Sequence, residues 1–211
     1  MCKKLMYVML CVGLGLVLCG TAQADNLLLN SSFETNTGGG GSAANWTNTG
    51  ATGTETWAWH TGDWGMAVYS WGGWEGCPWP EAGTGEFYQD VAVTGDTYYA
   101  YTIWATRDPW TVPMAGSITM KIEWYDGATL LSTVSRDITN AIGVEAPPLP
   151  NWVQVNIDPL SPTDADMARV MISTHVVNNA LKFDDASFGV PEPVTMALLG
   201  LGSLFLVRRR K

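Results

Sequence analysis

The chain has 211 residues, a formal net charge of −9, 46% hydrophobic and 15% charged residues, which excludes a disordered acidic tail and a coiled coil. Setting aside the two lysines of residues 1–24 and the net three positive charges of residues 191–211 leaves −14 on residues 25–190. Such a body repels phosphate backbones, so nucleic acid is not expected as a partner, while divalent cations and neutral ligands are compatible with it.

Residues 1–24 carry Lys3 and Lys4, an apolar run from Leu5 to about Gly20, and Ala22-Gln23-Ala24. A short basic head, an apolar stretch and a small-x-small site form a secretory signal peptide with cleavage after Ala24. Cys2, Cys11 and Cys19 leave with it, so the mature chain keeps only Cys77 and forms no internal disulfide.

Residues 25–189 are expected to be one domain. Its 11 Trp and its share of the chain's 23 Gly and 11 Pro favour short strands and turns over helices. Asn26–Phe33 reads as the opening strand. Phe87, Val91 and Val93 alternate, Gly95-Asp96 is a turn, and Tyr99, Tyr101, Ile103 and Ala105 share one face of the next strand. Ile118, Met120, Ile122 and Trp124 alternate up to a turn at Asp126-Gly127, and residues 130–134, 152–157, 169–173 and 181–188 complete the set. About eight or nine short strands with regular turn signals predict an all-β, antiparallel sandwich. Leu181 and Phe183 stand in one phase, Ala186 and Phe188 in the other, so a bulge is expected at Asp184-Asp185.

The sequence Asn26-Leu-Leu-Leu-Asn30-Ser-Ser-Phe33-Glu34 with Trp46, Phe87-Tyr-Gln-Asp-Val91, Tyr99-x-Tyr101-x-Ile103-Trp104-Ala105, Ile122-Glu-Trp-Tyr-Asp126, Trp152 and Phe183-Asp-Asp-Ala-Ser-Phe188 resembles carbohydrate-binding modules of the galactose-binding-like jelly-roll type. The resemblance spans most of residues 26–188, except 48–86. It implies a jelly-roll sandwich whose first strand lies beside the last, with a structural Ca²⁺ between them at Glu34 and one or both of Asp184 and Asp185. Hard carboxylate oxygens suit that ion.

Seven tryptophans fall between residues 46 and 79, more than one core of this size can bury. An exposed indole offers a flat apolar face with a polar handle, which suits a pyranose ring. Trp64, Trp71, Trp74 and Trp79 are the expected ligand-facing set, with polysaccharide as the partner; against it stands the reading that Trp46, Trp57 and Trp59 cover the end of the sandwich. The competing enzymatic reading, a jelly-roll glycosidase, needs two carboxylates at suitable separation. Glu86 and Asp90 are the nearest pair, without a third acidic partner, and no catalytic residue is assigned.

At the other end, Pro191-Glu192-Pro193 is followed by an apolar run to Val207 and then by Arg208-Arg209-Arg210-Lys211. As a helix, the 14 residues from Val194 to Val207 would reach about 21 Å, short of a hydrocarbon core of about 30 Å. The basic end belongs on the cytoplasmic side, with the body outside. This tail resembles the PEP-CTERM sorting signal. The resemblance implies recognition by an exosortase-like enzyme at Pro191, Glu192 and Pro193 and a transient inner-membrane anchor ended by Arg208, Arg209 and Arg210. It also implies delivery to the cell surface, outer membrane or extracellular matrix of a Gram-negative bacterium. The expected product is an exported, non-catalytic glycan-binding protein, or a structural matrix protein of the same fold without a ligand.

Overall fold

The computed structural model describes residues 25–70, 82–107, 115–142, 151–177 and 179–191. The signal peptide, the apolar helix expected after Val194, Glu192, Pro193 and Arg208 to Arg210 lie outside the described residues; Pro191 is exposed. Among the described residues no helix is long and apolar enough to cross a membrane. Asn26–Gly189 forms one compact unit, and the segments Met1–Asp25 and Val190–Lys211 are not part of it.

Among the described residues, ten strands run through this unit: β1 Thr47–Gly50, β2 Thr52–Glu55, β3 Gly65–Ser70, β4 Ala82–Ala92, β5 Ala100–Arg107, β6 Ala115–Asp126, β7 Thr129–Asp137, β8 Val153–Ile157, β9 Met167–Val177 and β10 Asn179–Gly189. They form two five-stranded sheets, β1-β4-β9-β6-β7 and β2-β3-β10-β5-β8, and every strand pairing is antiparallel. The fold is the expected all-β sandwich.

Alternation places the core. Phe87, Ile118, Met120, Ile122, Trp124, Val170 and Ile172 point inward from one sheet, and Met66, Val68, Tyr101, Ile103, Val155, Leu181 and Phe183 from the other, all buried. Aromatic contacts join the layers: the Phe87 ring lies 5.3 Å from Phe183, 5.8 Å from Trp46 and 5.9 Å from Phe33. Farther along, Tyr99 stacks on Phe188 at 5.1 Å.

The bulge in β10 is present. Pairing with β5 shifts register between Asp184 and Ser187, and Asp185 takes a φ of 47°, so Ala186 and Phe188 regain the core after the carboxylates have turned outward.

The opening segment differs from expectation. Asn26–Phe33 is not a strand: residues 29–32 form turns and the rest is irregular, and Asn30 and Phe33 have φ of 50° and 58°, which ends extended structure. Asn30 causes much of this, because its side chain accepts from Thr35 N at 2.9 Å and donates to Thr35 O and Ala44 O. The segment nevertheless lies beside the last strand, as the resemblance implies. Leu27 N donates to Phe188 O at 2.8 Å and Ala186 N to Ser31 O at 2.9 Å. From the other sheet Gln89 donates to Leu29 O at 3.0 Å and accepts from Leu29 N at 2.8 Å. The short strands β1 and β2 were not legible, because Thr, Asn and Gly leave no apolar alternation there, and β3 was missed although Met66 and Val68 share its inward face.

Candidate functional site: a clamped loop and two outward faces

Residues 56–64 connect β2 to β3 across the outer side of the β2-β3-β10-β5-β8 sheet. Ala58 packs into a small buried cluster with Ala51 and Ala67. Gly65 allows this approach, since a Cβ there would overlap the Ala58 carbonyl oxygen and stand 3.1 Å from Phe183 O.

Carboxylates hold the loop. Asp184 is fully buried, the one buried carboxylate among the described residues. Its Oδ2 accepts from His60 N at 2.7 Å and Thr61 N at 3.0 Å, and its Oδ1 from Asp185 N at 2.7 Å. Burial pushes its carboxyl up to about 6, and the three amides pull the other way. Asp185 accepts from Thr61 Oγ1 at 2.7 Å and contacts His60 Nδ1 at 2.7 Å. Glu34 Oε1 takes the amides of Asp63 at 3.0 Å and Trp64 at 3.2 Å.

Calcium was expected on these same three residues; in the structure their oxygens hold residues 60–64 by hydrogen bonds. Asp184 Oδ2, Asp185 and Glu34 Oε1 accept from N–H and O–H donors of the loop, and Asp184 Oδ1 from the amide of Asp185, so the carboxylates act as clamps. No group of three or more His, Cys, Asp or Glu among the described residues is placed to hold a metal ion.

The clamp orients aromatic groups. His60 stacks on Trp104 with ring centroids 4.3 Å apart and meets Trp152 edge-on at 5.1 Å. Lys182 Nζ stands 5.2 Å from the centre of the Trp57 ring. Trp46 is buried in the core, whereas Trp57 and Trp59 are 36% and 51% exposed.

The other sheet turns a lattice outward. Asp90 on β4 pairs across with Arg169 on β9, which pairs with Glu123 on β6; the next row is Tyr88, Met171 and Lys121, and the next Glu86, Ser173 and Thr119. Arg169 donates to both oxygens of Asp90 at 2.7 and 2.9 Å, and its guanidinium lies 4.2 Å from the Tyr88 ring centre and 5.7 Å from that of Tyr125. Hydrogen bonding to Asp90 raises the Arg169 pKa further, keeping it cationic. Tyr125 donates to Glu123 at 2.6 Å, which raises its phenol pKa, and Ser173 donates to Glu86 at 2.8 Å.

Glu86 and Asp90 do share this outward face. Four residues along a strand separate them by about 13 Å, beyond glycosidase spacing, and Asp90 is committed to Arg169.

Of the expected ligand set, Trp64 is half-buried at the start of β3. Trp71, Trp74 and Trp79 lie outside the described residues, in the connection that leaves β3 at Ser70 and enters β4 at Ala82. The six residues of β3 put about 20 Å between Trp64 and the start of that connection. Arg169, Tyr88 and Tyr125 were not singled out in sequence; only register across three strands brings them together.

The PEP-CTERM protein-sorting motif matches residues 189–211, and no curated protein matches the chain. Among solved structures the chain is similar to TmCBM61, determined in complex with β-1,4-galactotriose, at 15% identity and TM-score 0.51 over 79% of this chain and 99% of that one. A family 16 carbohydrate-binding module is similar at 15% identity and TM-score 0.54, over 77% and 99% of the two chains. The CBM22-1 xylan-binding domain of Paenibacillus barcinonensis Xyn10C is similar at 13% identity and TM-score 0.50, over 79% and 95%. The chain is thus an exported protein carrying a PEP-CTERM sorting motif, and its body has the β-sandwich fold seen in carbohydrate-binding modules.

Proposed function

We propose that this is a non-catalytic glycan-binding protein, processed by an exosortase-like enzyme at residues 189–211 and delivered to the surface or matrix of a Gram-negative cell. The glycan lies on the outward face of the β1-β4-β9-β6-β7 sheet. The observation that carries this is the Asp90–Arg169–Glu123 row flanked by Tyr88 and Tyr125. Fixed donors and acceptors beside aromatic edges suit sugar hydroxyls and the C–H faces between them. Because Arg169 is already held by Asp90, little side-chain freedom is lost on binding. The fold neighbours, two of which are named for galactotriose and xylan, support the ligand class.

The test is electrophoresis of the full chain through native gels containing xylan or β-1,4-galactan. Retardation in at least one gel is expected, weakened about tenfold by Tyr88→Ala with Tyr125→Ala. Migration unchanged by either polysaccharide would overturn the glycan reading, and release of reducing ends would overturn its non-catalytic part.

A further inference from the structure

The loop of residues 56–64 is fixed by packing at Ala58 and His60, yet Trp57 and Trp59 stay exposed. Burying a carboxylate is costly unless it is fully hydrogen-bonded, and here the one buried carboxylate of the described residues, Asp184, is used to fix two loop amides. Glu34 and Asp185 fix three more loop groups, the amides of Asp63 and Trp64 and the hydroxyl of Thr61. Besides Ala58, only His60, against Trp104 and Trp152, and Trp64 are partly covered in this loop. Its two largest side chains on either side of that anchor, Trp57 and Trp59, remain 36% and 51% exposed. A backbone held so firmly while its indoles face solvent is preorganised for a contact outside the molecule.

The surroundings select the kind of contact. The indoles are interspersed with polar groups: Lys182 Nζ beside Trp57, Thr61 and Asp185 joined by a hydrogen bond, and His60 between Trp104 and Trp152. Rings alternating with hydroxyl-binding groups match a sugar chain better than a continuous apolar partner surface.

We propose that Trp57 and Trp59, with His60 and Lys182, form a second glycan-binding surface, and that the protein thereby bridges two polysaccharide chains. The two faces belong to the outer sides of different sheets, back to back across a core about 10 Å thick. One extended chain cannot lie on both. Occupying both therefore cross-links separate chains, with the gain in retention that bivalency brings. This inference rests on the glycan reading above and extends it to a surface on the other sheet.

The experiment mixes the full chain with soluble xylan or β-1,4-galactan and follows both light scattering and retention in polysaccharide gels. Scattering is expected from the unaltered protein. Trp57→Ala with Trp59→Ala should abolish scattering and weaken retention about tenfold, and Trp59→Tyr should restore part of the scattering. An unchanged melting curve for these variants shows the loss to be one of binding. Scattering equal to that of the unaltered protein in the double variant would sink the second surface while leaving the first intact. An unaltered protein that neither scatters nor is retained removes both surfaces together. Concentration-dependent self-association without polysaccharide, abolished in the double variant, would overturn the proposal in favour of a protein-docking patch.

Discussion

Replacing Gly65 with Ala tests whether the loop of residues 56–64 is held by close backbone contact. The added Cβ would overlap Ala58 O, a backbone atom with no rotamer by which to escape, and would sit 3.1 Å from Phe183 O. If the loop stays, overpacking costs about 1–3 kcal/mol. If it lifts, the Ala58 cluster opens and Asp184 loses the amides of His60 and Thr61, each a charge-assisted bond worth about 1.5–3 kcal/mol. Part of that loss is recovered as the carboxylate meets water, so a net destabilisation of about 2–4 kcal/mol is expected. For a body of this size each kcal/mol lowers Tm by about 2–4 °C, giving a drop of roughly 4–16 °C. Calorimetry supplies Tm, and hydrogen exchange at the His60 and Thr61 amides reports whether the loop has left Asp184. Gly39→Ala is the matched control, since its Cβ would meet only the flexible end of Glu55, at 3.4 Å. A Tm within a degree of the parent, with both amides still protected, would refute the proposed contact.

Phe87→Ala removes the ring that touches Phe33, Trp46 and Phe183 and so joins the layers; a loss of about 3–5 kcal/mol in urea unfolding is expected, and less than 1 kcal/mol would mean that the layers do not depend on it. The carboxyl of Asp184 sits at about 6 in the folded protein, above its ordinary value of 3.8, so the native state holds this proton more tightly than the unfolded chain. Its contribution to stability is full below about pH 4 and falls as pH rises to about 6. In melting curves from pH 4 to 7, Asp184→Asn should therefore lose less stability with rising pH than the parent does, and parallel curves would contradict the burial of this acid.

Much of the sandwich was readable residue by residue. Phe87, Val91, Tyr101, Ile103, Ile118, Met120, Ile122 and Trp124 are inward and buried as their alternation requires, because a strand that covers a core must place an apolar group at every second position. The phase change between Phe183 and Ala186 marked the bulge for the same reason. Asn26–Phe33 misled because an apolar run carries no record of backbone sign: Asn30 bonds its own neighbourhood and turns the chain. Glu34, Asp184 and Asp185 each bond to residues 60–64, and their chemistry depends on what faces them, a loop more than 120 residues from Asp184 and Asp185.

By itself the sequence determined that the chain bears a sorting tail behind an acidic, all-β body, since apolar period, basic termini and turn residues act through neighbours along the chain. The tertiary structure alone decided which groups become a surface. Asp90, Arg169 and Glu123 are far apart in sequence and adjacent only through the register of β4, β9 and β6. The exposure of Trp57 and Trp59, against the burial of Trp46, follows from where Ala58 and Gly65 let the backbone touch. Register and close approach are properties of pairs of distant segments, and neither segment encodes them separately.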